Sequence, residues 1–179
     1  MGESGENEIS SQEAEPFWSA IRGKYCWNVA AGIGSFFTME FGSPELLVRE
    51  ALDADRLRQV QSERSRAHLS RRKVIVKGEW SLWIYQCAWR ILVGGSEACT
   101  SSTDRGAMDS CLREVDGRTL ERLRVEPSTA MTFFYFEGGL VLECGPSEPS
   151  DGSQWILSFA DGAVLSYTND GRWMLEPSA

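Results

Sequence analysis

The chain has a single histidine, His68, and its five cysteines include no C-x-x-C pair. A hydrolase triad needs a base beside its nucleophile, and that base is usually histidine. His68 lies in a polar segment, which is a poor environment for a general base. A structural zinc site needs paired Cys or His ligands at short spacing. The sequence therefore predicts no catalytic residue, no cofactor and no metal site, in a protein that is not an enzyme.

The chain also lacks a long apolar run. No stretch approaches the roughly 18 apolar residues of a membrane helix, and the N-terminus lacks the basic-then-apolar pattern of a secretory signal. The cysteines lie mostly in apolar stretches and are predicted to be small buried thiols; they are Cys26, Cys87, Cys99, Cys111 and Cys144. These features predict a cytoplasmic protein without membrane association.

The charge is unevenly distributed. The net charge is −8 over 179 residues, but the segment from Arg56 to Lys77 holds eight of the 18 basic residues and only one acid, Glu63. That segment carries +7, and the rest of the chain carries −15. Such asymmetry bears on partners rather than on fold. The acidic body favours a basic protein partner. The basic segment is interpreted as a solvated linker, a phosphate-backbone contact or a contact with an acidic protein surface.

One structural unit is predicted to occur twice, as residues 13–93 and residues 104–173. A shift of 94 residues aligns the apolar positions around the first predicted helix with those around the second, and a shift of 75 aligns Trp80 with Trp155. Each copy is expected to contain a short helix and about five antiparallel strands. Such small sheets bury little alone, so the two copies should form one sandwich or a barrel-like sheet. The fold class is therefore α+β and strand-dominated.

The sequence also predicts how the chain is organised around and within the two copies. Residues 1–12 are polar and acidic and predict a disordered tail, followed by one globular domain over residues 13–179. The first copy differs from the second by a basic insertion at residues 51–72. That insertion is either a short helix capped by Asp53 or a mobile loop. The second copy's helix is predicted from Arg105 to Val115, with Met108, Cys111, Leu112 and Val115 buried.

The segment from Gly78 to Ile91 reads G-E-W-S-L-W-I-Y-Q-C-A-W-R-I. It resembles the G-E-W-x-L-W-I-x-x-C-x-W-R-I strand of a family of small bacterial proteins for which no activity is established. Matching segments run from Gly23 to Pro44 and from Trp155 to Leu165. Because no activity is established for the family, the resemblance carries no activity over to this chain. By analogy with small acidic bacterial proteins encoded beside toxin or defence genes, it implies an immunity-type inhibitor or a defence accessory factor.

The leading functional prediction is a non-enzymatic binding protein that recognises a basic protein partner. The alternative is a nucleic-acid-associated accessory protein that acts through residues 56–77. The Glu79–Val93 segment is either one long bent strand or a looser hairpin that turns at Gln86-Cys87. Alternate residues fall on opposite faces, and either most of the aromatics form the core or one face binds a partner. The candidate partner-binding residues are Glu79, Trp83, Tyr85, Arg90, Arg56, Arg58, Arg64, Arg66, Arg71 and Arg72.

Overall fold

A computed structural model of the chain describes residues 7–149 and 151–176. The first half contains β1 (Glu8–Ile9), α1 (Ser11–Ser19), β2 (Cys26–Ala31), β3 (Phe37–Phe41), β4 (Glu45–Arg49), α2 (Ala54–Gln59), α3 (Glu63–Leu69), β5 (Lys73–Lys77), β6 (Trp80–Ile84), β7 (Ala88–Val93) and β8 (Ser96–Thr100). The second half contains α4 (Arg105–Val115), β9 (Leu120–Glu126), β10 (Met131–Phe136), β11 (Leu140–Gly145), β12 (Ser153–Phe159), β13 (Val164–Thr168) and β14 (Trp173–Glu176).

The strands form three sheets in which neighbours are antiparallel, as the sequence predicts. A seven-stranded sheet has the order β1-β14-β13-β12-β6-β3-β2, and a five-stranded sheet has the order β8-β7-β11-β10-β9. The third sheet contains only β4 and β5. The two large sheets stay open, so the barrel-like alternative is wrong.

One core lies between the two large sheets. Phe37 of the seven-stranded sheet meets Trp89 of the five-stranded sheet edge to face, with ring centroids 5.1 Å apart. Phe134 of the five-stranded sheet meets Trp155 of the seven-stranded sheet in the same edge-to-face geometry, with ring centroids 5.8 Å apart. Full burial of a large apolar side chain contributes about 1.5–3 kcal/mol, so these four rings make a major part of the shared core.

The second helix, α4, forms where the sequence predicts it. The Asp104 carboxylate accepts hydrogen bonds from the backbone N–H groups of Gly106 and Ala107 at the helix start. The apolar side chains spaced three and four residues apart face the core between β2 and β8. All four predicted core residues are buried: Met108, Cys111, Leu112 and Val115.

The N-terminal segment is more ordered than the sequence predicts. Residues 1–6 lie outside the described residues, but Glu8–Ile9 pairs with β14, and α1 already begins at Ser11. A capping box explains this early start, because the Glu13 backbone N–H donates to Ser10 Oγ at 3.3 Å and the Ser10 N–H donates to Glu13 Oε2 at 2.8 Å. The Ser10 hydroxyl also donates to Glu13 Oε2 at 2.7 Å, and this bond, together with that from the Ser10 N–H, lowers the pKa of Glu13. Among the described residues no helix is long and apolar enough to span a membrane.

The repeat in its predicted register is not confirmed. Trp80 and Trp155 do not hold equivalent positions, because β6 and β12 are adjacent strands of one sheet and Trp80 lies opposite Phe159. The predicted strand from Glu79 to Val93 is two strands, β6 and β7, in different sheets. The chain crosses between the sheets at residues 85–87, and Arg90 therefore lies on a different face of the molecule from Trp83.

The prediction of free thiols is wrong for two of the five cysteines. Cys99 of β8 and Cys111 of α4 form a disulfide that ties the helix to the five-stranded sheet. Disulfides persist mainly in oxidising compartments, so a cytoplasmic location does not follow from the cysteines. Cys26, Cys87 and Cys144 are free and buried, as predicted. Burial raises the pKa of the Cys26 thiol to about 12, which makes it a poor nucleophile.

The basic insertion is ordered and helical. The Asp53 carboxylate caps α2, as predicted, and a second cap at Ser62 starts α3. The sequence predicts one helix here, but Val60 adopts an extended conformation that ends the first helix after one and a half turns. Neither helix contains a buried residue.

We expect the insertion to be dispensable for folding. Replacement of residues 53–70 by a short Gly-Ser linker should leave the melting temperature nearly unchanged, because no core residue is lost and loop-closure entropy changes by only about 0.6 kcal/mol per doubling of length. Thermal unfolding followed by circular dichroism measures this. As a control, Trp155→Ala should lower the unfolding free energy by about 3–5 kcal/mol. A similar loss in the linker variant would show that the insertion supports the core.

The disulfide should stabilise the fold measurably. It closes a loop between residues 12 apart in sequence, and loop entropy predicts about 3 kcal/mol of stabilisation for such a loop. Urea unfolding with and without dithiothreitol should show this difference in the wild type. The double variant Cys99→Ser/Cys111→Ser should unfold identically with and without the reductant. Equal stability of reduced and oxidised wild type would contradict the prediction.

Candidate functional site

Residues 45–77 form an arm that leaves the body between β3 and β6. Its stem is the ribbon of β4 and β5, in which Leu46 pairs with Val76 and Val48 pairs with Val74. Its tip consists of α2 and α3. The two strands make their extensive contacts only with each other, so the arm stands apart from the core between the large sheets.

One face of the ribbon is aliphatic and open to solvent. The exposed fractions are 71% for Leu46, 42% for Val48, 55% for Val74 and 46% for Val76. Scattered apolar residues are ordinary on protein surfaces, but a contiguous exposed patch marks an interaction site. Among the described residues the outer edges of β4 and β5 have no strand neighbour, and free edges are templates for pairing with another chain.

The root of the ribbon lies beside the outer face of the seven-stranded sheet. A cavity of about 230 Å³ separates them, lined by Glu45 and Leu47 from the arm and by Ser81 and Ser158 from the sheet. On this face the buried Glu40 carboxylate accepts hydrogen bonds from the Gly78 backbone N–H and from Ser81 Oγ, both at 3.1 Å. These bonds tie the start of β6 to β3 and fix where the arm leaves the sheet.

The arginines at the tip divide into two groups. Those that already have partners are Arg56 with Asp53, Arg58 with Asp55, Arg72 with Glu50, and Arg66 with the carbonyl groups of Val60 and Gln61. The Arg56 backbone N–H is also the main cause of a lowered pKa at Asp53. Among the described residues, Arg64 and Arg71 have neither an ion-pair nor a hydrogen-bond partner. These two guanidinium groups are available to a ligand.

A wide cleft separates the arm tip from the body. Its volume is about 1040 Å³, and the body contributes Ile33 of the β2–β3 turn to its lining. The arm contributes the cationic side chains of Arg64, Arg71, Arg72 and Lys73, with His68 among them, and no acidic side chain lines the cleft. A water-filled cleft lined by charge of one sign concentrates ligands of the opposite sign.

An aromatic cluster lies on the outer face of the seven-stranded sheet and begins directly after the β2–β3 turn, whose Ile33 lines the cleft. The Phe36 ring is 4.7 Å from the Tyr85 ring, which is 5.3 Å from the Trp83 ring. Trp83 is 43% exposed. The Phe36 backbone N–H donates to the Ile33 carbonyl at 3.3 Å, so the cluster begins at the turn that forms one wall of the cleft.

Two side chains, one from each half of the chain, hold that turn in place. The Arg105 guanidinium of α4 donates to the carbonyl groups of Gly32, at 2.6 Å, and Ala31, at 2.8 Å. Trp89 Nε1 donates to the Ser35 carbonyl at 2.7 Å. The Gly-Ile-Gly sequence of the turn therefore serves as a fixed connection between β2 and β3.

The outer face of the five-stranded sheet has charged and aromatic groups that are satisfied within the chain. Arg90 Nε donates to the Glu143 carboxylate at 2.6 Å, and this bond raises the pKa of Arg90. The Arg122 guanidinium lies 4.1 Å from the Tyr135 ring centroid, and Arg124 covers Phe133 in the same way. Because these groups are already paired, this face is the weaker candidate for binding.

The structure divides the predicted site residues among three places. Trp83 and Tyr85 lie together on the outer sheet face, and Glu79 lies near them at the arm root. The six predicted arginines lie on the arm, and Arg90 lies on the other large sheet. The sequence analysis missed Phe36 and the aliphatic face of the ribbon. A signal for the ribbon is present, because Leu46-Leu47-Val48 and Val74-Ile75-Val76 are apolar on both faces, unlike an ordinary surface strand.

No known protein family, no characterised protein and no solved structure matches this chain. The resemblance of residues 78–91 to a bacterial family therefore stays a prediction.

Proposed function

We propose that the chain is a non-enzymatic binding protein that recognises a protein partner with a basic surface, as an immunity-type inhibitor or accessory factor does. The observation that carries the proposal is the exposed aliphatic face of the ribbon. Two-stranded ribbons are marginally stable in isolation, and this one leaves its apolar residues uncovered. A protein partner would bury them and add its own strand or helix to the ribbon.

The charge around the arm root supports a basic partner. Glu45, Glu79 and Asp161 lie at the root, and among the described residues the one basic residue of the cavity lining is Lys77, opposite Glu45. The Ala160 backbone N–H, next to Asp161, donates to the Glu79 carbonyl at 3.1 Å. The acidic body would speed the approach of a cationic protein through long-range attraction. The arginines at the opposite end of the arm would orient the partner, because its basic surface is attracted to the root and repelled by the tip.

We also propose that the two halves arose by duplication, in a register that aligns Trp89 with Trp155. In this register β2, β3, β6, β7 and β8 correspond to β9, β10, β11, β12 and β13. The orders β13-β12-β6-β3-β2 and β8-β7-β11-β10-β9 then match strand for strand. The strand pairings agree with this register, because Trp155 of β12 lies opposite Ile84 of β6 and Trp89 of β7 lies opposite Cys144 of β11.

This duplication would make the arm an addition to the original unit. Where the first half inserts residues 45–77 between β3 and β6, the second half joins β10 to β11 by a short turn at residues 137–139. An element that the fold does not need, and that exposes apolar residues, is a reasonable place for a binding function.

A ribbon variant tests the proposal. Leu46→Thr/Val76→Thr removes one cross-strand aliphatic pair while keeping residues that favour strands. The matched control is Val93→Thr, an exposed residue at the far end of the five-stranded sheet. The probe is each basic protein encoded beside the gene, titrated against each variant by surface plasmon resonance. The ribbon variant should bind at least about tenfold more weakly than the wild type, given about 0.8 kcal/mol per buried methylene.

Two further measurements complete this test. Glu45→Lys/Glu79→Lys should slow association and leave dissociation little changed, because charge acts mainly on the association rate. Equal affinity of the wild type and the ribbon variant for such a partner would contradict the proposal. Sedimentation of the chain alone as a dimer that the ribbon variant disrupts would also contradict it, since a second copy would then cover the ribbon.

A further inference from the structure

We propose that the cleft between the arm tip and the β2–β3 turn binds single-stranded nucleic acid. In this proposal the phosphates contact Arg64, Arg71 and Lys73, and a base stacks on Trp83 and Tyr85. The site is separate from the aliphatic face of the ribbon and does not depend on the protein-binding role. It also differs from a purely electrostatic contact through the basic segment, because the aromatic cluster supplies a stacking platform.

The cationic side of the cleft fits a phosphate backbone. Arg64 and Arg71 have no internal partner among the described residues, and Lys73 lies beside them in the same lining. An arginine that is already paired must give up that contact before it binds a phosphate, whereas these two need not. The cleft lining has no carboxylate that would compete with a phosphate.

The aromatic cluster that begins at the β2–β3 turn fits unpaired bases. Single-strand-binding proteins combine a cationic groove with aromatic rings, and stacking contributes about 1–3 kcal/mol per base. Trp83 keeps 43% of its surface exposed although it lies near the middle of a seven-stranded sheet. Its neighbours across the sheet are Thr38 and Ile156, which leave its outer side uncovered.

The charge of the whole chain favours a single strand over a duplex. A duplex carries about twice the charge per unit length of a single strand, and its bases are not available for stacking. The acidic body, at −15 without the basic segment, would repel the wide and highly charged duplex. A single strand can lie in the cleft and contact the arm tip while it passes the aromatic cluster.

The experiment measures binding of fluorescent single-stranded oligonucleotides of mixed sequence, as DNA and as RNA, by fluorescence anisotropy. Trp83→Leu should weaken binding roughly tenfold, as expected for the loss of one stacked base. Arg64→Ser/Arg71→Ser should also weaken binding and should make the dependence of log K on log salt shallower by about 1.4, which is two phosphate contacts at 0.7 each.

Matched controls separate this site from general attraction and from loss of fold. Tyr25→Leu removes an exposed aromatic residue elsewhere, and Arg22→Ser/Arg113→Ser removes two exposed arginines outside the arm; both should bind like the wild type. Circular dichroism should show an unchanged fold for every variant. A duplex of the same sequence should bind much more weakly near physiological salt.

Three outcomes would overturn the proposal. They are an unchanged affinity of Trp83→Leu, equal binding of duplex and single strand, and equal binding of a polyglutamate peptide, which would identify a general anion surface. A preference for RNA or DNA would identify the natural source of the strand and would support the proposal in either case. The ribbon variant Leu46→Thr/Val76→Thr should bind the oligonucleotide normally, so this test can fail without the protein-binding proposal failing.

Discussion

The structure depends on one core that both large sheets must share. The first half of the chain contributes β1, β2, β3 and β6 to the seven-stranded sheet and then crosses to the five-stranded sheet, and the second half crosses in the opposite direction after β11, so neither sheet contains only one half. The crossings bring Trp89 against Phe37 and Trp155 against Phe134, and the two indole N–H groups are satisfied by the Ser35 carbonyl and by a threonine hydroxyl. The two halves therefore cannot fold independently, since each sheet's apolar face is covered by strands from both.

The core is complete without the arm, which leaves the surfaces of the arm uncovered. The body buries the apolar faces of both large sheets, and α1 and α4 pack at their margins. Nothing in the core requires β4 or β5, so the aliphatic residues of the ribbon find no place inside. Their exposure is tolerable only because a two-stranded ribbon is short and twisted and because Lys73 and Lys77 limit edge pairing.

Local signals explain which parts of the fold could be predicted. The helix α4 has a carboxylate cap and a regular apolar period, and both act within a few residues, so its bounds and buried face were predicted correctly. Strand pairing acts over long distances. The alternation of residues continues through residues 85–87, so nothing in the sequence shows that β6 and β7 belong to different sheets. The Cys99–Cys111 bond gives no spacing signature either, because it joins a strand to a helix.

The candidate site was hidden for the same reason. The basic segment contains no aromatic residue, and sequence reasoning therefore predicted at most a weak electrostatic contact with nucleic acid. The fold changes this, because Phe36 follows the β2–β3 turn whose Ile33 lines the cleft, and Tyr85 and Trp83 continue the aromatic cluster from Phe36 across the outer sheet face. The arm consequently has an acidic root, an apolar stem and a cationic tip beside aromatic rings. Since these surfaces differ in chemistry and lie at different points along the arm, the two proposed sites do not overlap.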